Sequence, residues 1–339
     1  MSEKKNPFNI CTGVLLSSYM PRYYQEQEIV SSFEDNNSCF LYFVTGVHGI
    51  GKTLLLKQLE QRFSRDDDWI IISSNPNVGL YQCLYSCLSQ KLQRKGKTFF
   101  EYGNAELEAE IEQLLEIAKQ KNKKVLFLVD DIQNTKETRA FFHSFQMYIG
   151  DDFPMYVIAA GTFSAVSRLS NHKTLTFLLR APKISLTNLR LSAVGDEYKR
   201  LLNVSEETAI KMAKLTKGYP LAFQILGSLV SAYGNYDDSL LWQFDELLAE
   251  CAYDDIYREL SAKEIMLLKT ILANNIATVR QLIAELVITP KDFSIYRERL
   301  IKKGIIVSQK RGEFRVDLPR FAEYLESKER KEKIKEAFE

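Results

Sequence analysis

The chain has 339 residues, enough for two or three domains with sizeable cores. It is 45% apolar and 26% charged with a formal net charge of +1, so the overall balance points to neither nucleic acid nor a membrane surface. No uninterrupted apolar run approaches the roughly 18 residues of a membrane span, and the start, MSEKKNPFNI, lacks the apolar core and cleavage site of a signal peptide. Five cysteines are scattered along the chain. Cys83 and Cys87, four apart on an expected helix, read as small apolar residues, since no histidine lies near them to complete a metal site. The expectation is a reduced, cytoplasmic protein.

The first half alternates strand and helix patterns. The almost wholly apolar run CFLYFVT (39–45) predicts a parallel strand buried on both faces, followed by a glycine turn and the leucine-spaced helix TLLLKQLEQRF. WIIISSN (69–75) is a second such strand. LYQCLYSCLSQKLQRKG and AELEAEIEQLLEIAKQKNKK read as helices. VLFLVDD (125–131) is a third strand, ending in two aspartates. The helix KETRAFFHSFQMYIG leads to MYVIAAGT (155–162), and PKISLTNL (182–189) is a fifth strand. Beyond about residue 190 the patterns are helical, broken at Gly218-Tyr219-Pro220, with a boundary loop at GNYDD (234–238). Two short strands reappear around a Lys-Arg-Gly turn in GIIVSQKRGEFRVDLP (304–319), and a charged helix end closes the sequence.

VTGVHGIGKT places Gly46, four residues, then Gly51-Lys52-Thr53 between the first strand and the next helix, which is the phosphate-loop spacing. Glycines let the backbone curl so that N–H groups face the phosphates, and the helix adds its positive end. Gly46, Val47, His48, Gly49, Ile50, Gly51, Lys52, Thr53 and Leu54 form the expected cradle for ATP. Lys52 would reach the β- and γ-phosphates, and the Thr53 hydroxyl would hold Mg²⁺. Asp130, at the tip of a buried strand, is the expected second Mg²⁺ ligand. Asp131 follows it as the candidate base that orients the attacking water. One methylene shorter than the glutamate many ATPases carry, it implies slow turnover. Thr162 is the candidate γ-phosphate sensor, with a turn hydroxyl as the alternative, and His48 is a tolerated loop side chain.

NPF near the start, GVHGIGKT, LFLVDDIQ, VIAAGT and KGYPLAFQILG, in this order, resemble the AAA+ ATPases. The likeness is greatest to the branch shared by STAND signalling ATPases, origin-licensing ATPases and archaeal ATPases. It implies a helical lid over 190–235 that reports nucleotide state, with Pro220 near the nucleotide. It also implies that Arg180 could reach the phosphate of a neighbouring subunit in a homo-oligomer. Relatives start with a Gly-Arg-Glu segment that touches adenine; YMPRYYQEQEI keeps Arg22 but not the glycine, and no lid arginine follows Gly-Tyr-Pro.

In the C-terminal part, LSAKEIMLLKTILANN, TVRQLIAELV and TPKDFSIYRERLIKKG precede the strand–turn–strand, the order of a winged helix-turn-helix. The third segment would be the recognition helix, with Lys291, Ser294, Arg297, Arg299, Lys302 and Lys303 as its polar positions and Lys310 and Arg311 at the wing tip. From Ile256 onward, 18 Lys and Arg face 13 Asp and Glu, a local balance of +5. The sequence thus predicts an α/β P-loop NTPase core of the AAA+ type over 1–190, a lid over 191–236 and a winged helix over 237–339. The leading reading is an ATP- and Mg²⁺-dependent switch that binds double-stranded DNA. The alternatives are a signalling or defence ATPase whose winged helix meets a partner protein, and a nucleotide-binding scaffold with negligible turnover.

Overall fold

Four short apolar runs and one three-residue segment become the strands of one sheet: β1 (Leu41–Thr45), β2 (Trp69–Ser73), β3 (Lys124–Val129), β4 (Met155–Gly161) and β5 (Lys183–Ser185). The structure is a computed structural model that describes residues 6–10, 18–34, 39–93, 104–274, 277–286, 288–310 and 313–338. The chain divides into two compact units. A sheet unit comprises Met20–Thr45 and Lys52–Ile184, and a helical unit comprises Met1–Tyr19, Gly46–Gly51 and Ser185–Glu339.

The strand order is β2-β3-β4-β1-β5, and β1 with β4, β4 with β3, and β3 with β2 pair in parallel. Such strands have to be apolar on both faces, and all five residues of β1 are buried. Successive residues point to opposite faces. Tyr42 joins Phe33, Phe63, Trp69 and Tyr156 beneath α1 (Tyr23–Glu34) and α2 (Lys52–Phe63). Phe43 meets Phe142, and Phe127 meets Phe141, on the side of α3 (Leu80–Lys91), α4 (Asn104–Gln120) and α5 (Lys136–Gly150). Helix α6 (Phe163–Ser170) follows β4. The chain leaves β1 for the far edge at β2 but leaves β4 for β5 on the opposite side. The strand order therefore reverses at the carboxyl ends of β1 and β4, where open α/β sheets bind ligands.

In the helical unit, α7 (Leu191–Leu202), α8 (Glu206–Thr216) and α9 (Pro220–Tyr233) form a small bundle. Gly218, between α8 and α9, has φ +74°, and a Cβ there would fall on the Leu189 carbonyl oxygen, so only glycine serves. The N-terminal segment lies along α9. Phe8 sits over Gly227 against Phe223 and Tyr198, and Gln224 accepts from the Asn9 N–H and the Ser18 hydroxyl.

The C-terminal part continues with α10 (Leu241–Leu248), a π turn (Ala249–Tyr253), α11 (Asp254–Arg258), α12 (Ala262–Ala273), β6 (Ala277–Thr278), α13 (Val279–Leu286), α14 (Pro290–Lys302), β7 (Ile306–Lys310), β8 (Glu313–Val316) and α15 (Phe321–Phe338). Strands β6, β8 and β7 form an antiparallel sheet in that order, the element order of a winged helix-turn-helix. Helix α15 buries Phe321, Tyr324 and Leu325, and beyond them its residues through 336 are exposed or half-buried. Ser261 and Glu264 form a capping box at the start of α12. Glu264 also accepts from Lys303 Nζ at 2.9 and 3.1 Å, joining the end of α14 to the start of α12. Lys303, expected on the exposed face of the recognition helix, is therefore an internal cation. Its side chain is 12% exposed, and that of Glu264 is 3% exposed.

Burial pushes the Glu264 carboxyl up, but the Ser261 N–H, Lys303 and the Ser261 hydroxyl outweigh it and hold the carboxyl below its ordinary value. The pair's stabilisation is accordingly complete above the ordinary carboxylate range, near about pH 4.3, and is lost as pH falls through the lowered value. Glu264→Gln leaves Lys303 buried without its counter-charge and should destabilise the protein by about 3–5 kcal/mol. Urea unfolding at pH 7 and pH 3 measures it, and the gap between variant and parent should shrink at the lower pH.

Candidate functional site

The loop after β1 is built from residues of opposite character. Val47 and Ile50 are buried and anchor it, while Gly49 (φ +74°) and Gly51 (φ +97°) take up conformations that side chains resist. Within the helical unit the loop is held through its carbonyls. The Tyr219 hydroxyl donates to the His48 carbonyl, and the Leu221 N–H donates to the Gly49 carbonyl at 3.2 Å. Leu221 is in the first turn of α9, where N–H groups have no partner within the helix, and Pro220 before it has none to offer. His48 Nε2 lies 3.7 Å from Glu259 Oε1. His48, expected to be merely tolerated, thus faces a carboxylate at the end of α11.

Within the sheet unit, Lys52 and Thr53 open α2 and Leu54 follows, half-buried. The Thr53 hydroxyl donates to Asp130 Oδ2 at 2.6 Å. The Asp130 N–H donates to the Ser74 hydroxyl at 3.1 Å, which fixes the turn after β3. Asp131 is exposed, with φ +47°. Its N–H donates to Asp130 Oδ1, and its Oδ1 accepts from Gln133 Nε2 at 3.1 Å. Thr162 is buried and caps α6, its hydroxyl accepting from the Ala165 N–H at 3.2 Å. Arg180 is exposed after a short 3-10 turn, Thr176–Leu179. The Arg22 N–H donates to Gln58 Oε1, tying the entry of α1 to α2.

The Thr53–Asp130 pair suits Mg²⁺. A hard cation takes oxygen ligands and keeps several from phosphate and water, so two protein oxygens in contact suffice. Among the described residues no group of three or more His, Cys, Asp or Glu could hold a metal ion. No helix among the described residues is long and apolar enough to cross a membrane.

On the C-terminal module, Lys291 and Arg299 are exposed on α14 and Ser294 is half-buried. Arg297, expected on the polar face, instead lies with its guanidinium about 6 Å from the ring centres of Phe293 and Phe314. Its Nε is buried without a hydrogen-bond partner. The helix turns this side chain inward because its stem and planar head cover the apolar seam between α14 and β8. Lys302 pairs with Glu298 one turn away. Lys310 ends β7, while Arg311, like Cys11, lies outside the described residues.

The sheet order and the glycine loop after β1 have the form of a P-loop nucleotide-binding fold. Residues 36–181 match the family described as AAA domain. Residues 252–325 match a family described as a domain of unknown function. No curated protein matches the chain. Among solved structures, the ORC2 protein of Aeropyrum pernix in its ADPNP–ADP complexes is similar with a TM-score of 0.62 at 13% identity, over 94% of this chain and 96% of that one. The ADP form of the same protein gives 0.53 at 12% identity, over 93% and 94% of the two chains. Cdc6p of Pyrobaculum aerophilum gives 0.52 at 13% identity, over 94% and 95%. At these identities the likeness is one of fold.

Asp130→Asn keeps the shape of the Thr53 contact but removes the charge that a cation needs. It should weaken Mg²⁺ in the nucleotide complex by at least about tenfold while leaving Mg²⁺-free ADP binding little changed. Titration calorimetry with and without the metal reads both.

Proposed function

We propose that the protein is an ATP- and Mg²⁺-binding switch that hydrolyses ATP slowly and acts through its C-terminal winged helix on double-stranded DNA. The observation that carries the nucleotide half is the 2.6 Å contact between Thr53, at the start of α2, and Asp130, at the end of β3. The A. pernix protein of similar fold, solved with ADPNP and ADP, supports the same reading. Residues 1–190 would bind and cleave the nucleotide, 191–236 form the lid, and 237–339 carry the output, in the cytoplasm.

In this reading the loop N–H groups and the start of α2 receive the phosphates, and Lys52 places its charge on the β- and γ-oxygens. Bound Mg²⁺, held by Thr53 and Asp130, would neutralise charge that develops on those oxygens. Asp131, oriented by Gln133, accepts the proton of the water that attacks the γ-phosphorus in line, and ADP leaves. The Gln133 hydrogen bond and the short reach of aspartate both keep that base from moving freely, in line with slow turnover. The exposed Arg180 would serve a neighbouring copy in an oligomer. Arg22 would approach the base and Pro220 would lie near the nucleotide, while Thr162, whose hydroxyl accepts from the Ala165 N–H, would keep its own O–H to donate to the γ-phosphate.

The DNA half rests on the order of elements around α14 and on the local excess of basic residues. Lys291, Lys310 and Arg311 would contact phosphates, Ser294 would approach a groove edge, and Arg297 would support the helix from behind. The inward placement of Arg297 and Lys303 favours one competing reading, a winged helix that meets a partner protein.

Asp131→Asn should bind ATP and fail to release phosphate, giving a trapped complex in single-turnover assays. Turnover at the parent's rate would remove Asp131 from the chemistry. For DNA, duplex retention should fall steeply with salt. Lys291→Ala with Lys310→Ala should flatten the log–log salt slope by about two. No retention of duplex at low salt, with or without ATP, would decide for the protein-binding reading.

A further inference from the structure

We infer that Tyr219 is a positioning residue for the phosphate loop: its hydroxyl sets the His48–Gly49 peptide so that the Gly49 N–H is turned toward bound phosphate. The inference rests on the nucleotide-site reading above and adds to it the group that holds the loop's shape.

Val47 and Ile50 anchor the loop, but at its glycines there is no side chain to hold the backbone, so those peptide planes take their orientation from whatever engages them. A trans peptide is planar, and its C=O and N–H point in opposite directions. The Tyr219 hydroxyl donates to the His48 carbonyl, so the Gly49 N–H of the same peptide faces away from the lid. One peptide further on, the Leu221 N–H holds the Gly49 carbonyl at 3.2 Å, and the Ile50 N–H is turned toward the Val47 carbonyl at 3.4 Å. Two successive planes are thereby fixed by residues at the start of α9. The fit is close: a Cβ on Gly49 would lie 2.5 Å from the Tyr219 hydroxyl and 2.8 Å from Leu221 Cβ.

A positioning group has to be immobile itself. Tyr219 is fully buried, and its ring stacks on Tyr253 with centroids 6.4 Å apart and planes 21° apart. Tyr253 is in turn held by its own hydroxyl, which donates to the Pro319 carbonyl. Burial raises the Tyr219 phenol above its ordinary value, so it stays a neutral donor throughout the range in which the protein works.

Tyr219→Phe removes the hydroxyl and keeps the ring. Titrated with a fluorescent ADP and Mg²⁺, it should bind about 3- to 10-fold more weakly than the parent, the usual worth of one neutral hydrogen bond. Tyr198→Phe is the control: its hydroxyl donates at 2.9 Å to the Phe223 carbonyl inside the same bundle and does not touch the loop, so its affinity should be unchanged. Equal affinity in Tyr219→Phe and the parent, or equal losses in the two Tyr→Phe variants, overturns the inference. Lys52→Ala separates the levels. If it abolishes ADP binding while Tyr219→Phe has no effect, only the positioning role falls; if it retains ADP, the nucleotide site itself falls. Hydrogen exchange on the parent tests the same contact without mutation. ADP should protect peptides covering 47–51 and 219–223 together, and protection of the loop alone would overturn the role of Tyr219.

Discussion

A glycine turn whose carbonyls point into the fold has to satisfy them there, and in this protein that need ties segments distant in the chain together. The acceptors at His48 and Gly49 are met by Tyr219 and Leu221, at the one place on α9 where a backbone N–H is free to leave the helix. Gly218 permits the sharp approach to that helix, because any side chain there would strike the Leu189 carbonyl. Phe8 and Gln224 then fasten the N-terminal segment along the same helix. The geometry of a short glycine loop thus depends on a bundle whose contributing tyrosine lies 171 residues further along the chain.

The C-terminal module shows the same economy in its charges. Glu264 caps α12 and neutralises Lys303, so one carboxylate fixes both the start of one helix and the end of another. Lys217 reaches from the end of α8 to the Val316 and Leu318 carbonyls, and Asn188 donates to Asp317, so β8 and its exit are held by the bundle. Burial lowers the Lys217 amine and raises the Asp317 carboxyl from their ordinary values. Lys303 and Arg297, which both count toward the module's positive balance, therefore face inward. Net charge along a sequence overstates the charge that a partner would meet.

Much of the sheet unit is legible in the sequence, because its signals are local. A strand buried on both faces must be apolar throughout, and β1 to β4 are such runs. The phosphate loop is legible because its chemistry needs glycines, a lysine and a hydroxyl at fixed spacing. Asp130 is legible because a carboxylate at the end of an apolar strand has few structural uses. Helices α1 and α6 carry no comparable signal. Helix α6 is only eight residues long, and α1 mixes charged and apolar residues without a wide stripe. The contacts of Tyr219 and Glu259 with His48 carry no local mark either, since a tyrosine between Gly218 and Pro220 reads as one more turn residue.

By itself the sequence determined the order of the main strands and of the longer helices, and it singled out residues 46–53 and Asp130 as candidates for phosphate and Mg²⁺. Each of these follows from spacing within a few turns of chain. Only the tertiary structure decided that Thr53 meets Asp130 across 77 residues, that Tyr219 holds the His48 carbonyl, and that Arg297 and Lys303 face inward. The physical reason is that a polar side chain's partner is set by what folding brings within about 3 Å of it, and periodicity along the chain does not encode that distance.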